Sequence, residues 1–396
     1  MSAAPLRGVR VLELGQFIAG PYAGLQLADL GAQVIKIERP GRGDVFRDFG
    51  LSESAKGYSH NFCAFNRSKQ SLTLDINTPR GQEVFRRLAA QADVVLENFR
   101  PTVMRRFGLD WETLRGRNPR LVYCSITGFA EDGPYGDRPA YDAVGQALSG
   151  LMSLIVDPDN PRAIGPTLSD QITGMQACMG VLGALYERGR TGRGARVEVT
   201  LVEASMAFVP DAFAAYTQGG RVLGPDSRAA VSLAFTFRCA DGKLLAVHVS
   251  SIEKFWRALL AAVERPEIAQ DARFADRMGR IGNYHALVDM LRPVFAARPR
   301  AEWLQRLAAQ DVPVAAVHSI PEAMHEPEVE HLGMFHELEH PLYGRQTAMR
   351  RPTRIDGARD VDALAPPALG EHTATVLAQF GFTSQEVAAL RDAQVI

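Results

Sequence analysis

Through its first 130 or so residues the chain alternates short apolar runs with stretches of helical periodicity, and few architectures accommodate that order. The runs are Val9 to Leu14, Gln33 to Glu38, Ser71 to Ile76, Asp93 to Glu97 and Leu121 to Thr127. Strands separated by helices predict a parallel sheet covered on both faces, because each crossover must lay its helix against the sheet. One helix start is well marked: Thr78 is placed to cap it, and Pro79 takes the first helical position, where a missing N–H costs nothing.

Further along, a helix is expected over Gln171 to Glu187, with Gly174, Ala177, Gly180 and Ala184 forming a small-residue face suited to close packing. Between about Thr217 and Arg228 the composition turns to Gly, Arg, Asp and Pro, which marks a boundary. A strand pair, Ala234 to Arg238 and Lys243 to Val249, follows around an Ala-Asp-Gly turn, then helical pieces at 251–263, 285–297 and 300–309. Thr383 with Glu386 three residues on reads as a capping box opening the last helix. The expected division is 1–218 as a large α/β domain, 219–330 as a smaller α+β domain, and 331–396 as a C-terminal segment. A chain of 396 residues is too long for one ordinary core.

A formal charge of -1, from 44 basic and 45 acidic residues, argues against nucleic-acid or membrane-surface binding by bulk charge. Cys63, Cys124, Cys178 and Cys239 are widely spaced with no CxxC pair, so neither a zinc knuckle nor a disulfide framework is expected. No apolar signal core or run of about 18 apolar residues appears, and the protein reads as cytoplasmic. His336-Glu-Leu-Glu-His340 matches the HExxH zinc-hydrolase pattern, but Gly333 before it and Pro341 after it point to a short strand rather than the helix that zinc binding needs, so no metal site is expected. The turn Gly15-Gln-Phe-Ile-Ala-Gly-Pro21 after the first strand lacks GxGxxG, and no Walker A sequence occurs, which speaks against NAD or ATP.

Arg39, Lys69, Arg100 and Arg106 fall near the ends of expected strands, and the binding crevice of an open α/β sheet lies at strand ends; each also fits a solvated loop charge. Asp170, in Gly165-Pro-Thr-Leu-Ser-Asp-Gln-Ile-Thr-Gly174, is readable as a helix cap. The same position suits a nucleophilic carboxylate, because a helix N-terminus favours the ionised form and offers N–H groups to a developing oxyanion.

Ordered motifs through nearly the whole chain resemble one family. They are Leu6-Arg-Gly-Val-Arg-Val-Leu-Glu13, Ala19-Gly-Pro21, Leu30-Gly-Ala-Gln-Val-Ile-Lys-Ile-Glu-Arg-Pro-Gly41, Asn66-Arg-Ser-Lys69, Glu97-Asn-Phe-Arg-Pro101, Ser125-Ile-Thr-Gly128, Gly133-Pro-Tyr135, Tyr141-Asp142 and Asp170-Gln-Ile-Thr-Gly174. The chain thereby resembles the class III CoA-transferases, or formyl-CoA transferase family, which include carnitine and dicarboxylate CoA-transferases and acyl-CoA racemases.

The resemblance implies a large doubly wound, Rossmann-like domain and a smaller one, the C-terminal segment returning to the large domain, and an interlocked homodimer. It implies that Asp170 attacks a donor acyl-CoA to give a mixed anhydride and then an aspartyl-CoA thioester, with CoA as substrate and product and no other cofactor. It further implies CoA contacts from Ile18, Ala19, Arg39, Leu74, Asp75, Ile76, Asn77, Asn98, Phe99, Arg100, Arg106, Arg138 and Tyr141.

Two departures bear on the reaction. Racemases of this superfamily place a His-Asp pair where this chain has Tyr141-Asp142, and losing that histidine removes one acid/base group from α-proton exchange, so racemisation is the weaker alternative. Formyl-CoA transferases carry a glycine-rich loop where this chain reads Ala246-Val-His-Val-Ser-Ser251, which turns the reading toward succinyl-CoA or another short dicarboxylyl-CoA as donor. His248 in that stretch fits a structural or surface residue of an alternating strand. A catalytically silent CoA-binding protein is the remaining alternative, and the intact Asp170 argues against it.

Overall fold

The structure is a computed structural model that describes residues 4–50, 57–163, 165–250, 252–359 and 363–396. The chain divides into two compact units: Met1–Met152 with Ala163–Pro210 and Gly333–Ile396, and Ser153–Arg162 with Asp211–Leu332.

In the first unit, strands β1 (Arg10–Glu13), β2 (Gln33–Glu38), β3 (Lys69–Thr73), β4 (Val94–Glu97), β5 (Val122–Thr127) and β6 (Arg196–Thr200) form one sheet in the order β3-β2-β1-β4-β5-β6. Every pairing is parallel. Because side chains alternate along a strand, neighbours serve opposite faces. Leu12, Ile35, Leu72 and Val95 pack with Val84, Phe85 and Leu88 of helix Pro79–Ala89 and with Val376, Leu377 and Phe380 near the C-terminus. Val11, Val34, Val94 and Cys124 face the other way, onto Ala23 and Leu27 of helix Ala19–Asp29 and onto Ala177 and Val181 of helix Leu168–Thr191. Both faces are covered, which is the doubly wound arrangement the alternation predicts.

The C-terminal segment returns to this sheet at its β3 edge. The His372 N–H donates to the Ser71 carbonyl at 2.9 Å, and the Thr73 N–H donates to Thr373 Oγ1 at 3.0 Å. Thr78 with Pro79 and the Thr383/Glu386 capping box start their helices as expected.

Two details differ from expectation. The third strand begins two residues early, at Lys69, because that lysine is fully buried and paired with Glu13 at 2.7 Å, so a charged side chain occupies an interior position. Leu74 and Ile76 then belong to the loop beyond it. The sixth strand, Arg196–Thr200, is an edge strand whose outward residues are polar, and no apolar run announces it.

The second unit holds the antiparallel sheet β7 (Ala234–Arg238), β8 (Leu244–His248) and β9 (Val314–Ala316). Phe235, Phe237, Leu245 and Val247 pack on Trp256, Leu259, Leu291, Phe295 and Trp303 of its helices. His248 ends β8 with its side chain exposed. Ser250, in the stretch where the resembled transferases have glycine, stands at φ +59°, and Ser251 lies outside the described residues. Back in the first unit, His336 and His340 sit on β10 (Phe335–His340), a strand paired with β11 (Gly344–Met349). Nε2 of His340 lies 3.3 Å from Glu371. Among the described residues, no helix is long and apolar enough to cross a membrane.

Candidate active site

Open parallel sheets bind ligands beyond the carboxyl ends of their strands, where the strand order reverses. Here that point lies between β1 and β4, and a cavity of about 410 Å³ opens there. Gln16 to Ala19 after β1, Asn98 to Pro101 after β4, and Ile126 to Gly128 around the end of β5 form one side; Arg138 to Tyr141, Asp170 and Leu201 form the rest.

The β1 loop is held by side chains from elsewhere in the sheet. Nζ of Lys36 donates to the Gly15 carbonyl at 2.6 Å. The Asn98 amide brackets the next residue, its Oδ1 accepting from the Gln16 N–H at 2.9 Å and its Nδ2 donating to the Gln16 carbonyl at 2.8 Å. Oδ1 of Asp44 accepts from the Phe17 N–H at 3.2 Å, and Nζ of Lys69 donates to the Pro21 carbonyl at 2.8 Å. Gly15 and Gly20 are required by proximity, since a Cβ on Gly20 would lie 2.9 Å from the Gly15 Cα.

Beneath the loop is a buried cluster of charges. Lys36 pairs with Glu13 at 3.1 Å and with Asp44 at 2.9 Å, and Lys69 pairs with the other Glu13 oxygen. Burial opposes the charge on Lys36, but Asp44, Glu13 and Glu38 together raise its pKa above the ordinary lysine value. Lys69 gains less from its carboxylates, and burial pushes it down to about 8.

Asp170 is not a cap. Its helix, Leu168–Thr191, starts two residues earlier with Thr167 at the N-cap position, so Asp170 sits in the first turn and its carboxyl is released from capping. Helix Asp142–Leu148 supplies the missing acceptor: Oδ1 of Asp142 takes the Asp170 N–H at 3.1 Å, while Nε2 of Gln146 donates to Oδ2 of Asp142 at 2.5 Å. The Asp170 helix is held against helix Leu201–Phe208 by Ser169, whose Oγ lies 2.7 Å from that of Ser205, and against helix Ala19–Asp29 at Gly174, where a Cβ would come within 2.8 Å of the Ala19 carbonyl. The helix N-terminus was expected to favour the Asp170 anion; instead burial, and then the Asp142 charge, push its carboxyl up to about 7.

Of the residues singled out in the sequence, Ile18, Ala19, Asn98, Phe99, Arg100, Arg138, Tyr141 and Asp170 line this cavity, and Arg39, Leu74, Asp75, Ile76, Asn77 and Arg106 are outside its lining. Arg39 is exposed after β2. Leu74 and Ile76 are core side chains. The Asp75 carboxylate accepts from the Asn77 N–H at 3.0 Å, and the Arg106 guanidinium lies over the Phe107 ring. Strands β2 and β3, which lead into Arg39 and Leu74–Asn77, lie on the far side of β1 from the cavity. Sequence reasoning gave no role to Asp142 or Phe17; the Tyr141-Asp142 motif was the signal for the first, and a bulky residue between Gly15 and Gly20 for the second. Among the described residues no group of three or more His, Cys, Asp or Glu side chains could hold a metal ion.

The fold and this cavity define an open α/β protein with a cavity at the β1/β4 switch point and a carboxyl group in the cavity wall. The chain belongs to CoA-transferase family III, whose family model matches residues 6–373. It is 33% identical to the mouse succinyl-CoA:glutarate CoA-transferase, over 95% of this chain and 86% of that protein. It is likewise 33% identical to the succinyl-CoA--D-citramalate CoA-transferase of Chloroflexus aurantiacus, over 99% of this chain and 98% of the relative. Among solved structures, a CAIB/BAIF family protein from Brucella suis superposes with a TM-score of 0.84 at 32% identity, covering 96% of this chain and all of that one. The protein is a CoA-transferase enzyme.

Proposed function

We propose that the protein transfers CoA from succinyl-CoA, or another short dicarboxylyl-CoA, to a carboxylic acid acceptor through covalent intermediates on Asp170. The observation that carries this reading is the position of Asp170: its carboxyl is released from capping and lines the cavity at the β1/β4 switch point. The Asp170 carboxylate attacks the thioester carbonyl and expels CoA thiolate, leaving a mixed anhydride. The thiolate then attacks the aspartyl carbonyl, releasing the donor acid and forming an aspartyl-CoA thioester. The acceptor carboxylate repeats the sequence in reverse: a second anhydride forms, the thiolate takes its acyl group, and Asp170 is regenerated.

CoA is thus substrate and product, and the CoA contacts we assign are those inferred from the resemblance, with Arg100 and Arg138 as the cations in the cavity wall. Arg39 and Arg106, exposed on the same large unit, are assigned to the more distant parts of CoA. Tyr141, rather than a histidine, in the cavity wall favours transfer over racemisation. The succinyl preference rests on the donors named for the mouse and Chloroflexus relatives. We also assign the interlocked homodimer; the exposed Met175, Met179 and Tyr186 along the Asp170 helix support it.

The test is a mass-spectrometric screen of succinyl-, acetyl- and formyl-CoA against a panel of carboxylic acids, with Asp170→Ala as control. Product masses identify donor and acceptor together, and substantial exchange by Asp170→Ala sinks the mechanism.

A further inference from the structure

Phe17 is a bulky residue held in a backbone conformation that L side chains rarely adopt, at φ +61°. Strain of that kind persists only where the surroundings over-determine it, and it gathers at ligand clamps. Here the determinants are specific. Asp44 accepts the Phe17 N–H at 3.2 Å, and the preceding residue is gripped through both backbone groups by Asn98. The Phe17 ring is wedged edge-on between Phe46, at 5.4 Å between centroids, and Tyr141, at 5.5 Å. The residue is only partly buried, and it lines the cavity together with Asp170. A glycine would meet the same turn without strain, so the turn alone does not call for a phenylalanine.

We propose that Phe17 is a specificity-determining residue: its ring, fixed between Phe46 and Tyr141, is the wall that admits unbranched aliphatic carboxylic acids to Asp170 and turns away branched or aromatic ones. This rests on the assignment of Asp170 as nucleophile. The reacting carboxylate of any acceptor is common to all acids, so selectivity must come from side chains beside the nucleophile. Of the cavity's rings, Phe17 and Tyr141 touch each other, and Phe17 carries the strained backbone. A rigid apolar wall discriminates by bulk, because a pocket that cannot move excludes an added branch sterically.

The experiment supplies succinyl-CoA with glutarate or 3-phenylglutarate as acceptor and compares native enzyme, Phe17→Gly, Phe17→Leu and Asp170→Ala. Phe17→Gly relieves the backbone strain while removing the ring, so it is expected to stay folded and to raise the ratio of kcat/KM for 3-phenylglutarate over glutarate about tenfold. Phe17→Leu keeps part of the wall and is expected to move the ratio a few fold in the same direction, which carries the test if the glycine variant does not fold. An unchanged ratio in the folded variants, with Asp170→Ala inactive, overturns the role of Phe17 and leaves the nucleophile standing. Exchange by Asp170→Ala overturns the nucleophile instead. If native enzyme turns over neither acid, the dicarboxylate reading falls and this proposal falls with it.

Discussion

The backbone N–H of Asp170 donates to Oδ1 of Asp142 at 3.1 Å, so one carboxylate satisfies the first turn of a helix and sets its negative charge beside another. The contact does two opposed things. It closes the open helix end, and it makes ionising Asp170 harder, adding to the effect of burial.

The ionised form is the nucleophile, so kcat/KM is expected to fall as pH drops through about 7, the value to which Asp170 is raised. Asp142→Asn keeps an oxygen for the Asp170 N–H but removes the charge, and should move this acid limb to lower pH. Glu97, also pushed up to about 7, chiefly by burial, lies outside the lining, and Glu97→Gln should leave the limb in place. Rate profiles between about pH 5 and 9 separate these variants.

Stability carries the same signature. A carboxyl whose pKa is higher folded than unfolded keeps its proton in the folded state from its ordinary 3.8 up to about 7, so stability falls as pH rises through that window. Asp170→Asn escapes the loss. Its melting temperature should exceed that of the native protein by about 2–4 °C above pH 7 and match it near pH 4, as read by calorimetry.

Gly174 and Gly189 lie on one helix and should respond oppositely to alanine. At Gly174 the new Cβ would meet the Ala19 carbonyl at 2.8 Å, whereas nothing lies within 4 Å at Gly189. Gly174→Ala should lose about 1–3 kcal/mol despite its better helix propensity. Gly189→Ala should gain about 0.5–1 kcal/mol. Urea unfolding measures both.

Lys36→Met should cost about 3–5 kcal/mol, because it leaves the buried Glu13 and Asp44 carboxylates without their shared cation. Chemical denaturation at pH 7 checks it, and a loss below about 1 kcal/mol would show the cluster to be rim-like rather than interior.

Most of the sheet was legible because strands buried on both faces must read as apolar runs, as Val94 to Glu97 and Val122 to Thr127 do. Lys69 misled because its interior place depends on Glu13, a partner 56 positions away whose proximity no local pattern encodes. The edge strand Arg196–Thr200 was silent for the opposite reason, since its outward side chains have no partner layer to select apolar residues. At the site, Asp170 was found by motif, but its first-turn position was not: the helix begins at Leu168 because Asp142, supplied by another helix, stands in for a local cap. The orientation of Phe17 depends on Asp44 and Asn98, and no property of Phe17 itself foretells it.

The clasp around Gly15 to Pro21 also sets when the site comes into being. A glycine-fingerprint turn closes from its own residues; this one has no shape until Lys36, Asp44, Lys69 and Asn98 have been assembled by β2, β3 and β4. The amides of Gln16 and Phe17 therefore exchange with deuterium only when much of the sheet opens, and should show protection close to that of the core strands. A substitution that loosens β2, β3 or β4 should therefore also shorten the protection of these two amides.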